Sequence, residues 1–230
     1  MKTVTQPVTW LLLALTAFFP VGTALTAVFG YKLTLRCIPV FAVLLAVLSV
    51  GTLILHILNK QKKLLALTAV LALVNLVNTV LLIFANNAPI VILCTLLSSI
   101  CCCLLPAMHA KRLAVKVTSL ILSVLLLAPV CYAGFIFLIF GNIGQNTVVQ
   151  AAVSPDGKHI AEVINSDQGA LGGDTLVDVQ QVRTFDAGIF EIRKKPQRVY
   201  IGEWGEFEDM EIEWKDEKCL LLNGREYIIE

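Results

Sequence analysis

VTSLILSVLLLAPVCYAGFIFLIF (residues 117–140), GNIGQN (141–146) and TVVQAAVSPDGK (147–158) follow one another without a break, and the change of character across them decides the architecture. The first piece holds no charged side chain and is long enough to cross the roughly 30 Å hydrocarbon core of a bilayer at about 1.5 Å per residue. The second is a short linker of Gly, Asn and Gln. The third is a Val- and Ala-rich run that stops at Pro155-Asp156-Gly157-Lys158. Proline at the second position of a turn and glycine at the fourth suit a type I turn between two strands. Asp156 is also the first acid in the chain.

That position organises the charges. All seventeen Asp and Glu lie from Asp156 onward, while the eighteen Lys and Arg divide evenly on either side of it. The formal net charge of +1 is therefore the sum of an apolar part at +9 and a polar part at −8. The composition is 57% hydrophobic and 15% charged, against about 25% charged for an average soluble domain. An ordinary soluble enzyme and a disordered chain are both poor fits.

Toward the N-terminus, four more stretches free of Asp, Glu, Lys and Arg meet the length for a span: 8–29, 38–58, 64–84 and 90–108. Connections of five residues make neighbours antiparallel. Pro20, Pro106 and Pro129 fall inside or near the ends of spans, where membranes tolerate them. Five crossings put Lys2, Lys60, Lys62, Lys63, Lys111, Arg112 and Lys116 on one side, with only Lys32 and Arg36 in the short loops of the other. The basic side is cytoplasmic, so the N-terminus is expected inside and the C-terminal part outside. The first segment is read as a retained helix. Its rival is a cleaved signal peptide ending near Gly22, Thr23 and Ala24, although its apolar run exceeds the usual 7–15 residues of a signal core.

Polar residues within spans are few. His56 sits one turn from the basic loop and is expected to reach the headgroups. Asn75 and Asn78 share a face of the third span, where amides act as helix glue or line a polar path. Ser98 and Ser99 read as small residues that let helices approach. Cys94, Cys101, Cys102, Cys103 and Cys131 read as small apolar filler, with palmitoylation as the alternative. Consecutive cysteines on a helix point about 100° apart and cannot converge on one metal. No metal site and no cofactor is expected. Cys219 is alone in the tail, which leaves that domain without an internal disulfide; a bridge to Cys37 is the remaining option.

The domains are expected at 1–140 for the membrane part, 141–146 for the linker and 147–230 for the tail. The tail reads as β throughout. Strands at 147–154 and 159–166 flank the first turn, with further candidates at 175–184 and 198–204. Met210, Ile212 and Trp214 alternate with Glu211 and Glu213, the period of a half-buried strand. Asn223-Gly224 between 219–222 and 225–230 is the preferred pair for a two-residue hairpin turn. The expected fold class is a five-helix transmembrane bundle followed by a small antiparallel all-β domain, a sandwich or an open barrel.

Two features of the tail are candidates for chemistry. The loop Asp167-Gln168-Gly169-Ala170-Leu171-Gly172-Gly173-Asp174 is no phosphate loop, since no Gly-Lys-Ser/Thr follows. Asp167, Gly169, Gly172, Gly173 and Asp174 are nonetheless the proposed ligand contacts; otherwise the segment is a plain connection. The acidic stretch 203–213 does not match a twelve-residue calcium loop and reads as a solvated face. The basic run 193–198 is expected to pair with those acids or to touch anionic headgroups. No Ser/His/Asp or Cys/His constellation occurs, so enzymatic activity is not expected, and an acidic tail argues against nucleic acid as a partner.

Ser154-Pro155-Asp156-Gly157-Lys158, then Asp167-Gln168-Gly169-Ala170, then Trp214-Lys215-Asp216 leading into Asn223-Gly224, resembles an uncharacterised family of small bacterial extracytoplasmic domains. Those domains sit behind a membrane segment, mostly in Gram-positive organisms. The resemblance covers roughly 148–230 and departs from the family's glycine-rich pattern at Gln168 and Leu171. It implies location and shape and carries no activity. The expectation is an integral cell-membrane protein whose outer domain binds or senses a small ligand or an envelope protein. The alternatives are a transporter or channel subunit with Asn75 and Asn78 in its path, and a protective, immunity-type membrane protein.

Overall fold

The computed structural model describes residues 4–59, 64–140, 145–169 and 172–229. Lys2 and the basic loop Lys60, Lys62 and Lys63, on which the orientation partly rests, lie outside the described residues, as do Ala170 and Leu171 of the glycine loop. The chain forms two compact units, one built from the helices and the other from the tail together with residues 26–34.

The helical unit contains α1 (Thr5–Val28), α2 (Ile38–Asn59), α3 (Leu65–Ala85), α4 (Pro89–His109) and α5 (Leu113–Phe140). All five are long and apolar enough to cross a membrane. Pro20, Pro106 and Pro129 sit within continuous helices, and Pro89 opens α4 where its missing N–H costs nothing. α4 is the hub, packed against α2, α3 and α5. Its neighbour α2 buries Ile38, Ala42, Leu45, Ala46, Ser49, Thr52 and His56, a stripe at helical spacing. The small residues in that stripe let the backbones approach, since lipid supplies no hydrophobic force between spans. Thr9, Thr52, Thr68 and Thr95 each return their hydroxyl to the carbonyl four residues back, at 2.7–2.9 Å, so no polar group faces lipid unpaired there.

The β unit holds three antiparallel-rich sheets, none closed into a barrel. One has the order β2 (Gln145–Val153), β3 (His159–Asp167), β4 (Gly173–Gln181), β7 (Gln197–Glu203). A second is β10 (Arg225–Ile228), β9 (Cys219–Leu222), β8 (Ile212–Trp214). The third joins β5 (Thr184–Asp186) and β6 (Phe190–Lys194) to β1 (Tyr31–Leu35).

Both turns that the sequence singles out have the expected geometry. Gly157 lies at φ 68° and donates its N–H to the Ser154 carbonyl at 2.9 Å. Asn223 and Gly224 lie at φ 49° and 77°, as a type I′ turn requires at both positions.

Several strands differ from the sequence expectation, among them β6, which falls where no strand is expected. β2 begins at Gln145, inside the expected linker. β1 comes from the connection between α1 and α2, which reads as a loop, and Lys195 N–H donates to the Gly30 carbonyl at 2.9 Å beside it. The stretch 210–214 is shorter than a full alternating strand: Glu206–Glu208 form a 3-10 turn, and only Ile212–Trp214 pair.

The β core gathers Ala161, Val163, Val177, Val179, Met210, Trp214, Leu220, Leu222 and Ile229. Ala161 and Val163, and Val177 and Val179, stand two apart on neighbouring strands and therefore share a face. Trp214 Nε1–H donates to the Ala152 carbonyl at 3.0 Å and joins the second sheet to the first. A fully buried Val or Leu contributes about 1.5–3 kcal/mol by leaving water.

Candidate functional site

The β unit carries a cavity of about 450 Å³ lined by Tyr200, Glu206, Asp209, Met210, Leu222, Asn223, Arg225 and Tyr227. Strand β7 supplies Tyr200, the 3-10 turn and its exit supply the acids and Met210, and the β9–β10 hairpin supplies the rest. The two tyrosines of the tail meet there at 83° with ring centroids 6.4 Å apart. Buried Met210 and Leu222 form an apolar floor.

Each wall is fixed by ordinary chemistry. Tyr200 Oη–H donates to Glu206 Oε2 at 2.6 Å, and this carboxylate pushes the phenol above its usual pKa. Gly202 makes the pairing possible. A Cβ at that position would stand 2.0 Å from Glu206 Oε2 and 2.6 Å from the Tyr200 ring. Gly205, at φ 97°, turns the chain into the 3-10 segment. Phe207 N–H donates to Thr175 Oγ1 at 3.1 Å, and that hydroxyl donates to the Glu203 carbonyl at 2.8 Å, which anchors the turn on β4. Asn223 is held from both ends: its Oδ1 accepts from Glu211 N–H at 2.8 Å, and its own N–H donates to the Glu211 carbonyl at 3.0 Å. Among the described residues, no ion pair engages Asp209 or Arg225.

The loop proposed from sequence lies at the β3–β4 turn. Asp167 Oδ1 accepts Gly169 N–H at 2.7 Å, and Asp174 Oδ2 accepts the Gln168 side-chain amide at 3.1 Å. Backbone bonds from Gln168 N–H to the Gly172 carbonyl and from Gly172 N–H to the Gly169 carbonyl close it further. Gly173 is required by packing: an added Cβ would lie 2.4 Å from the Ser166 carbonyl oxygen and 2.6 Å from the Trp204 ring. The two carboxylates thus each serve their own turn.

The basic run 193–198 does not pair with the acidic stretch 203–213. Arg198 makes a two-pronged bond to Asp178 at 2.8 and 3.0 Å, and Arg193 makes one to Glu191. Asp178 and Glu191 are nearly buried, and the guanidinium beside each supplies the countercharge its burial needs.

In the bundle, Asn75 and Asn78 are both 1% exposed. Asn75 Nδ2–H donates to Ser98 Oγ at 2.8 Å, and its Oδ1 accepts from Ser99 Oγ–H at 3.0 Å. Ser98 continues to Ser49 Oγ at 2.7 Å, and Ser99 to Thr79 Oγ1 at 2.7 Å. Cys102 Sγ–H reaches Ser49 Oγ at 3.7 Å. This seam joins α2, α3 and α4. Ser98 and Ser99 are hydrogen-bonding members of it and more than small spacers. Asn78 Oδ1 has no hydrogen-bond partner among the described residues.

His56 departs from expectation. It is 1% exposed and does not reach the headgroups. Its Nε2 lies 2.9 Å from Thr9 Oγ1 and its Nδ1 2.6 Å from His109 Nε2, while Asn59 donates to Thr5 Oγ1 at 2.8 Å. A second polar seam therefore ties α1, α2 and α4. All seven cysteines are free; Cys37 is exposed and Cys219 buried.

No family model, no curated protein and no solved structure matches this chain.

Proposed function

We propose that the chain is a multi-pass cell-membrane protein whose β-domain faces outside the cytoplasm and captures a small polar ligand there, without turnover. The observation that carries this is the Tyr200/Tyr227 cavity. Its volume of about 450 Å³ falls within the roughly 300–1,000 Å³ of small-molecule sites, and it combines an apolar floor with a few oriented polar groups. The excess of Lys and Arg in the expected inner loops supports the orientation. The likeness of residues 148–230 to small extracytoplasmic domains supports the same location. Strand β1 supports a sensing role: the segment between two membrane helices is part of the ligand-holding unit, so a shift in that unit pulls on α1 and α2 directly. Asn75 engages α4 hydroxyls with both ends of its amide, which favours a packing role over a pore-lining one.

Two measurements test the reading. Thermal-shift assays on the solubilised full chain, with low-molecular-weight envelope extracts, should show stabilisation of the wild type and none of Gly202→Ala, whose Cβ collides with the Tyr200–Glu206 pair in the cavity wall. Equal shifts for both would remove the cavity from the account. A cysteine placed at Gly224, with Cys37 changed to Ser, should react with an impermeant maleimide from outside intact cells; protection there with labelling after lysis would reverse the orientation.

A further inference from the structure

We infer that the cavity takes a zwitterion, a short peptide or amino-acid derivative with a free ammonium at one end and a free carboxylate at the other; this rests on the ligand-binding reading above.

The argument begins with charge placement. Asp209 and Arg225 line one cavity with opposite sign, and neither is bonded to the other or to another charged side chain among the described residues. Elsewhere in the domain, opposite charges that come together are joined: Lys158 with Asp156, Arg193 with Glu191, Arg198 with Asp178, Lys215 with Glu226. A cation and an anion that line one cavity without an ion pair between them match a ligand that carries both.

The surroundings sort the two ends. The acidic groups are Asp209 and Glu206, with Glu206 Oε1 left over after Oε2 accepts the Tyr200 hydroxyl. Two tyrosine rings set at 83° form a corner whose negative faces attract an ammonium. The Arg225 guanidinium, in the same lining, presents a planar fork suited to a carboxylate. The Asn223 side-chain oxygen is already taken by Glu211 N–H, and its amide nitrogen remains as a further donor. The apolar floor of Met210 and Leu222 accommodates small side chains between the charged ends.

The experiment is calorimetric titration of the full chain in lipid nanodiscs with four probes: trialanine, N-acetyl-trialanine, trialanine amide and glucose. Trialanine is expected to bind, and capping either end to weaken binding at least tenfold. Asp209→Asn should erase the discrimination against the acetylated probe alone, and Arg225→Gln that against the amide alone. These two surface positions leave the core untouched, so folding is checked by an unchanged melting curve. Equal binding of capped and uncapped peptides, or no binding of trialanine, overturns the zwitterion. Glucose binding that Gly202→Ala abolishes also overturns it, while the ligand-capturing role stands. If neither these probes nor the envelope extracts give a Gly202-dependent signal, the broader reading falls with it.

Discussion

Two polar regions of this molecule are built on opposite terms. In the seam Ser49–Ser98–Asn75–Ser99–Thr79, each named hydroxyl and both ends of the Asn75 amide find a partner at 2.7–3.0 Å, and all five residues are buried. In the Tyr200/Tyr227 cavity, Asp209 and Arg225 stay exposed and unjoined beside open space. The first arrangement leaves nothing for a ligand to satisfy. The second leaves both charge and volume. Polar residues in an apolar setting attract functional readings, but the number of bonds they have left to make is the better guide.

Substitutions can break this contrast. The largest effect is expected at the centre of the seam. Asn75→Ala removes two buried bonds at once, those to Ser98 and Ser99, and at about 0.6 kcal/mol for each such bond between membrane helices roughly 1.2 kcal/mol should be lost. Unfolding of the solubilised protein in a denaturing detergent measures it; a neutral result would mean that the seam does not hold the bundle. Ser49→Ala, at the edge of the seam, should cost less, about 0.6 kcal/mol, the average for such bonds between membrane helices. Asp209→Asn and Arg225→Gln should fall within about 0.5 kcal/mol of wild type, as exposed positions without partners do. A loss of 2 kcal/mol at either one would show that the cavity's charges are structural after all.

How much of this was legible in the sequence follows the same division. The spans are legible because about twenty apolar residues in a row have few other uses. The hairpins are legible because positive φ at Asn223 and Gly224 is a local steric demand. β1 is not, because five residues between two spans read as a loop until a partner strand, β6, arrives from the far end of the chain. The seam was half visible: Asn75, Ser98 and Ser99 each stand out, but their pairing depends on how α3 meets α4. His109 lies one residue past the expected end of its span, so its pairing with His56 went unseen. The cavity is the least legible. Glu206 and Asp209 read as a solvated acidic strand face, and only the 3-10 turn brings them into one lining with Tyr227 and Arg225. The converging tyrosines, the only two in the tail, were the available signal.

The smallest effect concerns a polar group that is closed without being deeply buried. Asp156 Oδ1 accepts Ser154 Oγ–H at 2.7 Å and Lys158 N–H at 3.1 Å, and Oδ2 pairs with Lys158 Nζ at 2.9 Å. The Lys158 and Ser154 side chains hold its carboxyl well below the usual carboxylate range. A lowered pKa in the folded state stabilises the fold only while the unfolded chain would also be ionised, so the contribution is complete above about pH 4 and drains away as pH falls further. Acid melting curves of wild type and Asp156→Asn should therefore differ at pH 6 and draw steadily together as pH falls below about 4, with the variant the less stable at the higher pH. Curves that stayed parallel across that range would mean the hairpin is held by its Gly157 backbone geometry alone. Convergence would place Asp156 with Asn75 on the closed side of the contrast, and would show that bonds already made, more than depth of burial, separate it from Asp209.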